Sequence, residues 1–286
     1  MRVFGLLFCF LSLPLFAGTQ LTTQIYDIDY GKTSQDEILV FLTSGHVVKV
    51  RRDDQALLKK FAAEKSVRRW FNLKMDDDRF ITEMKVTESP IPESQEEEKF
   101  FTPMNVNNEN EYVPTTIKDM ATAKKYFKEA RYNPKDSQCF NRAMIWSYEW
   151  WKKHSLKSNK ILIFFTRTYI RRYNFEWWFH IAPYVHVKEG DKVVERVMDV
   201  KYTRGPIEFT KWTNIFMRND APCPIITKYS EYADFPYSGE CYIIRTHMYT
   251  YQPADLQMYD AWGYRKDKFN MDEVRGAYLE AFDERI

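Results

Sequence analysis

The stretch Asp136–His154, DSQCFNRAMIWSYEWWKKH, decides how this chain is read. Asp-Ser-Gln has the character of a helix start, and the residues after it are heavily aromatic. The pattern therefore predicts a helix with Cys139 at its first turn rather than in its middle. A thiol at a helix N-terminus meets the positive end of the helix dipole, which favours thiolate. A thiolate nucleophile needs a partner that moves a proton, commonly His, and a third group that orients that His.

The chain has five histidines. His46 falls in an N-terminal hairpin. His154 lies at the far end of the cysteine helix, about 22 Å from Cys139 at ~1.5 Å rise per residue. It is assigned as a partner of the helix C-terminus. His247 has no acidic neighbour in its own strand. His180 and His186 share one strand, WWFHIAPYVHV, which the turn KEGDK joins to VVERVMDV. With Glu189-Gly190 as a two-residue turn, His180 lies opposite Asp199 on the same sheet face. His186 pairs near Val193, with no comparable acid. The residues thus supply a thiol, an imidazole and a carboxylate in the order Cys139, His180, Asp199, and such a carboxylate fixes the tautomer of the His.

Cysteine usage supports the same reading. Cys9 falls inside an apolar segment at the start of the chain, MRVFGLLFCFLSLPLFAGTQ. That segment has the character of a signal peptide, with cleavage expected near Ala17-Gly18. The protein is accordingly expected to be exported, to the periplasm or beyond. Three cysteines remain, and an oxidising compartment leaves one of an odd number unpaired. Cys223 and Cys241 both lie among turn residues and are expected to form a disulfide. Cys139 is then the free thiol.

Outward from this centre, residues 19–86 form an expected small α+β unit. It contains a hairpin at Ser44-Gly45, a helix capped at Asp53, and a strand pair joined by Asp76-Asp77-Asp78. The acidic triplet is assigned to a solvated turn rather than to a metal. Residues 87–115, rich in Pro, Glu, Asn and Ser, are the expected linker. Residues 116–286 follow as the catalytic domain. Within it TIKDMATAKKYFKEA is expected as a helix, KILIFFTRTYI as a strand, and the tail from Met258 as helical. The net charge is +2, without a strongly basic half. That excludes nucleic acid as the expected partner. No segment after the first eighteen residues suggests a membrane span, and the chain is expected to be monomeric. Aromatics at 17% fit either a packed core with a cleft or a protein that handles polymers.

Three words carry a resemblance to a known family: CFNRA from Cys139, WWFHIAPYVHV from Trp177, and RVMDVKYTRGPIEFTKW from Arg196. In this order they resemble the protein-glutaminase family of secreted bacterial deamidases, over about residues 125–215. The sequence departs from the family pattern at Val200, where that family tends to have Pro. The resemblance implies an α+β fold, with a papain- and transglutaminase-like core and the cysteine helix packed on an antiparallel sheet. It implies Cys139 as nucleophile, His180 as general base and acid, and Asp199 as orienter, with neither cofactor nor metal. Trp177 and Trp178 flank His180, and strand alternation leaves one of them to line a slot for glutamine. Arg142 is assigned a structural role. The implied reaction is hydrolysis of the side-chain amide of protein-bound glutamine, and Thr19–Thr115 is expected to act as an inhibitory pro-region. A cysteine peptidase, a transglutaminase, a cell-wall peptide amidase and a non-catalytic exported binding protein stay open as alternatives.

Overall fold

Short apolar runs separated by turn residues build the first unit. The computed structural model describes residues 19–33, 37–64, 69–90, 101–103, 112–132 and 137–286. The expected signal peptide and most of the expected linker lie outside these residues. Strands β1 (Thr19–Asp29), β2 (Ile38–Leu42), β3 (Val47–Val50), β4 (Trp70–Met75) and β5 (Ile81–Thr87) form one sheet, in the order β3-β2-β1-β4-β5. Every residue of β2 and β3 is buried, as expected of strands that read as near-continuous apolar runs. Helix α1 (Gln55–Glu64) follows β3. Its cap is Asp54, not Asp53: Asp54 Oδ1 accepts the Leu57 N–H at 2.9 Å, the geometry of an N-cap residue three positions ahead. In the acidic triplet, Asp76 Oδ1 accepts the N–H groups of Asp78 and Phe80 at 3.1 and 2.8 Å. This turn uses its carboxylate on its own backbone.

Contacts along the chain define two units, Met1–Val40 with Val48–Ser89 and Phe41–Val47 with Pro90–Ile286. The turn joining β2 to β3 thus groups with the second unit.

The second unit contains β6 (Phe101–Pro103), β7 (Thr116–Ile117), α2 (Met120–Glu129), α3 (Cys139–His154), β8 (Asn159–Phe165) and α4 (Arg167–Tyr173). They are followed by β9 (Phe179–Glu189), β10 (Lys192–Val197), α5 (Phe209–Phe216), β11 (Ile225–Ile226), α6 (Tyr229–Ala233), β12 (Cys241–His247), α7 (Pro253–Trp262), β13 (Tyr264–Lys266) and α8 (Met271–Phe282). Its main sheet has the order β10-β9-β8-β12-β11, with β7 also paired to β9. The β10/β9, β9/β8 and β8/β12 pairs are antiparallel, and the short β7 and β11 pair in parallel. The class is α+β, with α3 packed against β9 and α8.

The aromatic character of α3 has a physical reason. Trp146 and Trp150 are buried and donate their indole N–H groups to the main-chain carbonyls of Arg131 and Tyr126, at 2.7 and 3.1 Å. Their large rings fill the interior without an unpaired donor. The helix ends at Ser155 in the left-handed region, and Lys152, Lys153 and His154 fill its last turn. The two lysines there offset the negative end of the helix dipole. His154 bonds Glu129 Oε2 at 2.7 Å.

Three expectations change. The run KILIFFTRTYI is not one strand: Thr166 Oγ1 accepts the Tyr169 N–H at 3.2 Å and starts α4. The tail holds α7, β13 and α8 rather than continuous helix, with Gly263 at φ +63° closing α7. The β9/β10 turn is Gly190-Asp191, so Lys192 faces Glu189 and Val197 faces Tyr184. This register differs by two residues from the expected one. His186 consequently faces Glu195 rather than Val193, and Glu195 is held by Arg245 at 2.7 Å.

Candidate active site

Cys139 is the first residue of α3 and is 2% exposed. Of the run expected to cap it, Asp136 lies outside the described residues, and Gln138, the residue directly ahead of Cys139, makes no capping side-chain bond. The turn is instead tied by the Arg142 N–H to Gln138 O at 3.2 Å, and by the Arg142 guanidinium to the Ser137 carbonyl. As the first helical residue, Cys139 has a backbone N–H with no acceptor within the helix.

His180 is the second residue of β9 and is 4% exposed. Its Nε2 donates to Asp199 Oδ2 at 2.7 Å. Asp199 is 1% exposed and lies beyond the last paired residue of β10. Its carbonyl accepts the N–H groups of Tyr202 and Thr203 at 3.1 and 2.9 Å and the Thr203 hydroxyl at 2.9 Å. A tight turn thus takes over where the ladder stops. The Cys139 thiol and the His180 imidazole interact, each shifting the other's protonation, and the Ile181 backbone N–H acts on the sulfur as well. Because Nε2 is occupied by Asp199, Nδ1 is the nitrogen left for the thiol.

The electrostatics match this line. Burial disfavours the Cys139 thiolate, but the hydrogen bond and charge of His180, then the charge of Arg142, outweigh it and bring the thiol below its ordinary value. Burial likewise works against the His180 cation, yet the Asp199 charge and hydrogen bond push it up to about 9. Asp199 is held below the usual carboxylate range because His180 and Trp212 overcome its desolvation. The three directions agree with a buried thiolate–imidazolium–carboxylate array.

Rings enclose the imidazole. Tyr202 meets it edge-on at 5.1 Å, Phe216 lies at 4.6 Å and Trp212 at 5.7 Å between centroids. Burial pushes the Tyr202 phenol up to about 12. Tyr202 and Trp212 lie in the word that begins at Arg196, without a role read for either, and Phe216 lies beyond it. The available signal was the repeat of large apolar residues in FTKWTNIF, whose Trp must find an acceptor once buried.

The two tryptophans ahead of His180 differ in placement. Trp178 is buried, donates Nε1–H to Leu42 O at 2.8 Å, and packs on Phe41, Phe164 and Phe179. Trp177 is half-buried, with its ring 4.2 Å from that of His46 and its N–H on Glu176. The turn Phe41–Val47 lies along this stretch: the Trp178 N–H donates to Gly45 O at 3.0 Å, and the Val47 N–H to Glu176 O at 2.8 Å. Gly45 has φ +90°, and a Cβ there would come 3.2 Å from the Phe179 ring, so glycine suits both the turn and the close approach.

Cys223 and Cys241 are disulfide-bonded across a separation of 18 residues, and Cys139 is free. No metal-holding group of His, Cys, Asp and Glu occurs among the described residues.

This is an α+β fold in which a thiol at a helix start meets a histidine on a sheet strand and an aspartate in the turn after the next strand. Comparison with known proteins narrows the class. Residues 111–216 match a family model described as a glutaminase, of the glutamine-deamidase type. The fold is similar to that of pro-protein-glutaminase, at a TM-score of 0.50 and 14% identity over 93% of this chain and 94% of that one. An A47Q2 mutant of pro-protein-glutaminase aligns with 13% identity and a TM-score of 0.50, over 91% and 92%. No curated protein matches the chain. The resemblance to the protein-glutaminase family therefore stands, and Cys139, His180 and Asp199 all lie inside the matched segment.

Proposed function

We propose that this chain is an exported cysteine-dependent amidohydrolase that converts protein-bound glutamine to glutamate and ammonia. The observation that carries the reading is the buried Cys139–His180–Asp199 line within the segment that matches the glutaminase family. In this mechanism the Cys139 thiolate attacks the carboxamide carbon. The developing oxyanion is held by backbone N–H groups at the start of α3, including that of Cys139. The His180 imidazolium gives its proton to the departing nitrogen as the C–N bond breaks, which releases ammonia and leaves a thioester. Neutral His180 then takes a proton from water, whose oxygen attacks the thioester. The C–S bond breaks, glutamate leaves, and the thiolate–imidazolium pair is restored. Asp199 keeps the ring in place and stabilises its cation in both halves. Neither half calls for a metal or cofactor.

Residues 19–115 act in this reading as a pro-region that is removed by cutting in the 87–115 segment. Two observations support it. The relatives of similar fold are pro-forms that align along nearly the whole chain. The turn Phe41–Val47 also covers Trp177 and Trp178, one of which is assigned to the glutamine slot. Cutting should raise turnover, and adding the fragment back should lower it.

The test is mass spectrometry of a protein substrate incubated with the cut chain, alongside an ammonia assay. The expected result is the small mass increase of an amide turned to an acid, lost in Cys139→Ala. Backbone cleavage would identify a peptidase and amine incorporation a transglutaminase. No change in any substrate would leave a binding protein and sink the deamidase.

A further inference from the structure

Four tryptophans are almost fully buried: Trp146, Trp150, Trp178 and Trp212. The first three donate their indole N–H to the main-chain carbonyls of Arg131, Tyr126 and Leu42. Trp212 differs: its Nε1–H donates at 2.9 Å to Asp199 Oδ2, the same oxygen that accepts His180 Nε2–H at 2.7 Å. A buried indole needs an acceptor, but a carbonyl would have served, as it does three times elsewhere.

We propose that Trp212 is a positioning residue, whose indole N–H fixes the Asp199 carboxylate so that His180 is held with Nδ1 toward Cys139. The inference rests on the catalytic reading of those three residues. Asp199 needs such a restraint because it stands outside the β9/β10 ladder. The bonds to its carbonyl from Tyr202 and Thr203 fix the backbone and leave the side-chain torsions free. Two donors converging on Oδ2 remove that freedom. Trp212 can supply the restraint because it is itself fixed. Its backbone N–H closes the first turn of α5 on Glu208 O at 3.0 Å, and its ring lies 5.4 Å from Phe216, which packs on His180. Helix α5 therefore presents a donor to the carboxylate and an apolar wall to the imidazole from one face.

The experiment removes the N–H without removing the ring. Trp212 is replaced in the full-length chain by benzothienylalanine, which keeps the bicyclic shape with sulfur in place of N–H, and separately by Phe. Turnover of a glutaminyl peptide is followed after cutting in the 87–115 segment, and His180 is titrated by NMR. Positioning predicts that the isostere keeps its melting temperature and KM while kcat falls about tenfold or more, the usual cost of losing an outer partner. It also predicts that His180 titrates lower than in the wild type. Trp212→Phe should show the same kinetic loss together with a lower melting temperature. An isostere with wild-type kcat and an unchanged or raised His180 titration overturns the proposal and leaves Trp212 as packing. Cys139→Ala separates the two levels. If it keeps turnover, the catalytic reading itself fails. If it is inert while the isostere behaves as wild type, only the role of Trp212 fails.

Discussion

His180 Nε2 and Asp199 Oδ2 lie 2.7 Å apart although the two residues are not partners in any strand ladder. The ladder ends at Val197–Tyr184, and the turn after it carries the carboxylate back to the imidazole. Asp199→Asn should keep this turn, because the bonds that build it reach the Asp199 carbonyl rather than the side chain. It should nonetheless remove the charge that holds the imidazolium and allow the wrong tautomer. We expect kcat to fall by roughly 10³-fold or more. Steady-state kinetics on a glutaminyl peptide check this, and a loss under tenfold would remove Asp199 from the mechanism.

The same pair sets a pH dependence. His180 is pushed up to about 9, chiefly by Asp199 acting against burial. Its proton is the one delivered to the departing ammonia, so kcat should decline as pH rises through about 9. The acid limb should lie below the ordinary thiol range, where Cys139 gains its proton. Stability follows the same sign. A histidine whose folded value is raised contributes stability that is fully present below its unfolded value and is lost as pH rises through the folded one. Thermal melts should therefore weaken on passing from neutral pH to above about 9, by less in Asp199→Asn. An alkaline limb near the ordinary histidine value in the wild-type pH–rate profile would contradict the assignment.

The relation between sequence and structure at this hairpin is instructive. A turn at Glu189-Gly190 predicts His180 opposite Asp199, whereas the turn is at Gly190-Asp191. A two-residue difference leaves each side chain on its original face, while a one-residue difference would have reversed it. The neighbourhood of the acid and the imidazole was thus legible, although their pairing was not. The position of Cys139 at a helix start was legible from the break between a polar run and an aromatic one. The cap was not, because Gln138 makes no capping bond and the turn is tied by Arg142. Helix α4 was hidden inside an apolar run, where only the Thr166 hydroxyl marks the boundary. Trp212 was beyond reach for another reason. Its acceptor lies on a different element, and nothing local distinguishes an indole that meets a carboxylate from one that meets a carbonyl.

The cysteines give a prediction independent of activity. Cys223 and Cys241 are bonded and Cys139 is free. In the chain lacking its first eighteen residues, unfolded without reductant, a thiol reagent should label one cysteine, and peptide mapping should place it at Cys139. Labelling of all three, or of Cys223 or Cys241, would contradict the pairing. Replacing both bonded cysteines by Ser should cost about 3 kcal/mol, the magnitude for a loop of this size, read as an earlier denaturant midpoint.

Lys266 gives the last prediction, which concerns how the C-terminal helix is held. The residue is 2% exposed, and its Nζ lies 2.8 Å from Asp255 Oδ2 on α7 and 2.6 Å from Glu273 Oε1 on α8. Asp255 Oδ2 also accepts the Tyr251 N–H at 2.6 Å, so one ammonium joins β13, α7 and α8 between the buried Asp255 carboxylate and the part-buried Glu273 carboxylate. Burial pushes Glu273 up to about 7 even with Lys266 beside it. Lys266→Met removes the cation and leaves the buried Asp255 and the part-buried Glu273 without it. Breaking a buried ion pair by deleting one partner costs on the order of 3–5 kcal/mol, and the loss should appear as faster amide exchange across Met271–Phe282 and a lower melting temperature. Without the cation, Glu273 should be protonated over a wider range. An acid whose folded value is raised contributes stability that is present below its unfolded value and lost as pH rises through the folded one. The variant should accordingly be hurt more at neutral than at mildly acidic pH. Lys266→Met combined with Glu273→Gln leaves one fewer stranded charge and should recover part of the loss. If the double variant is no more stable than the single one at neutral pH, stranded charge is not what destabilises α8, and the role given to Lys266 is wrong.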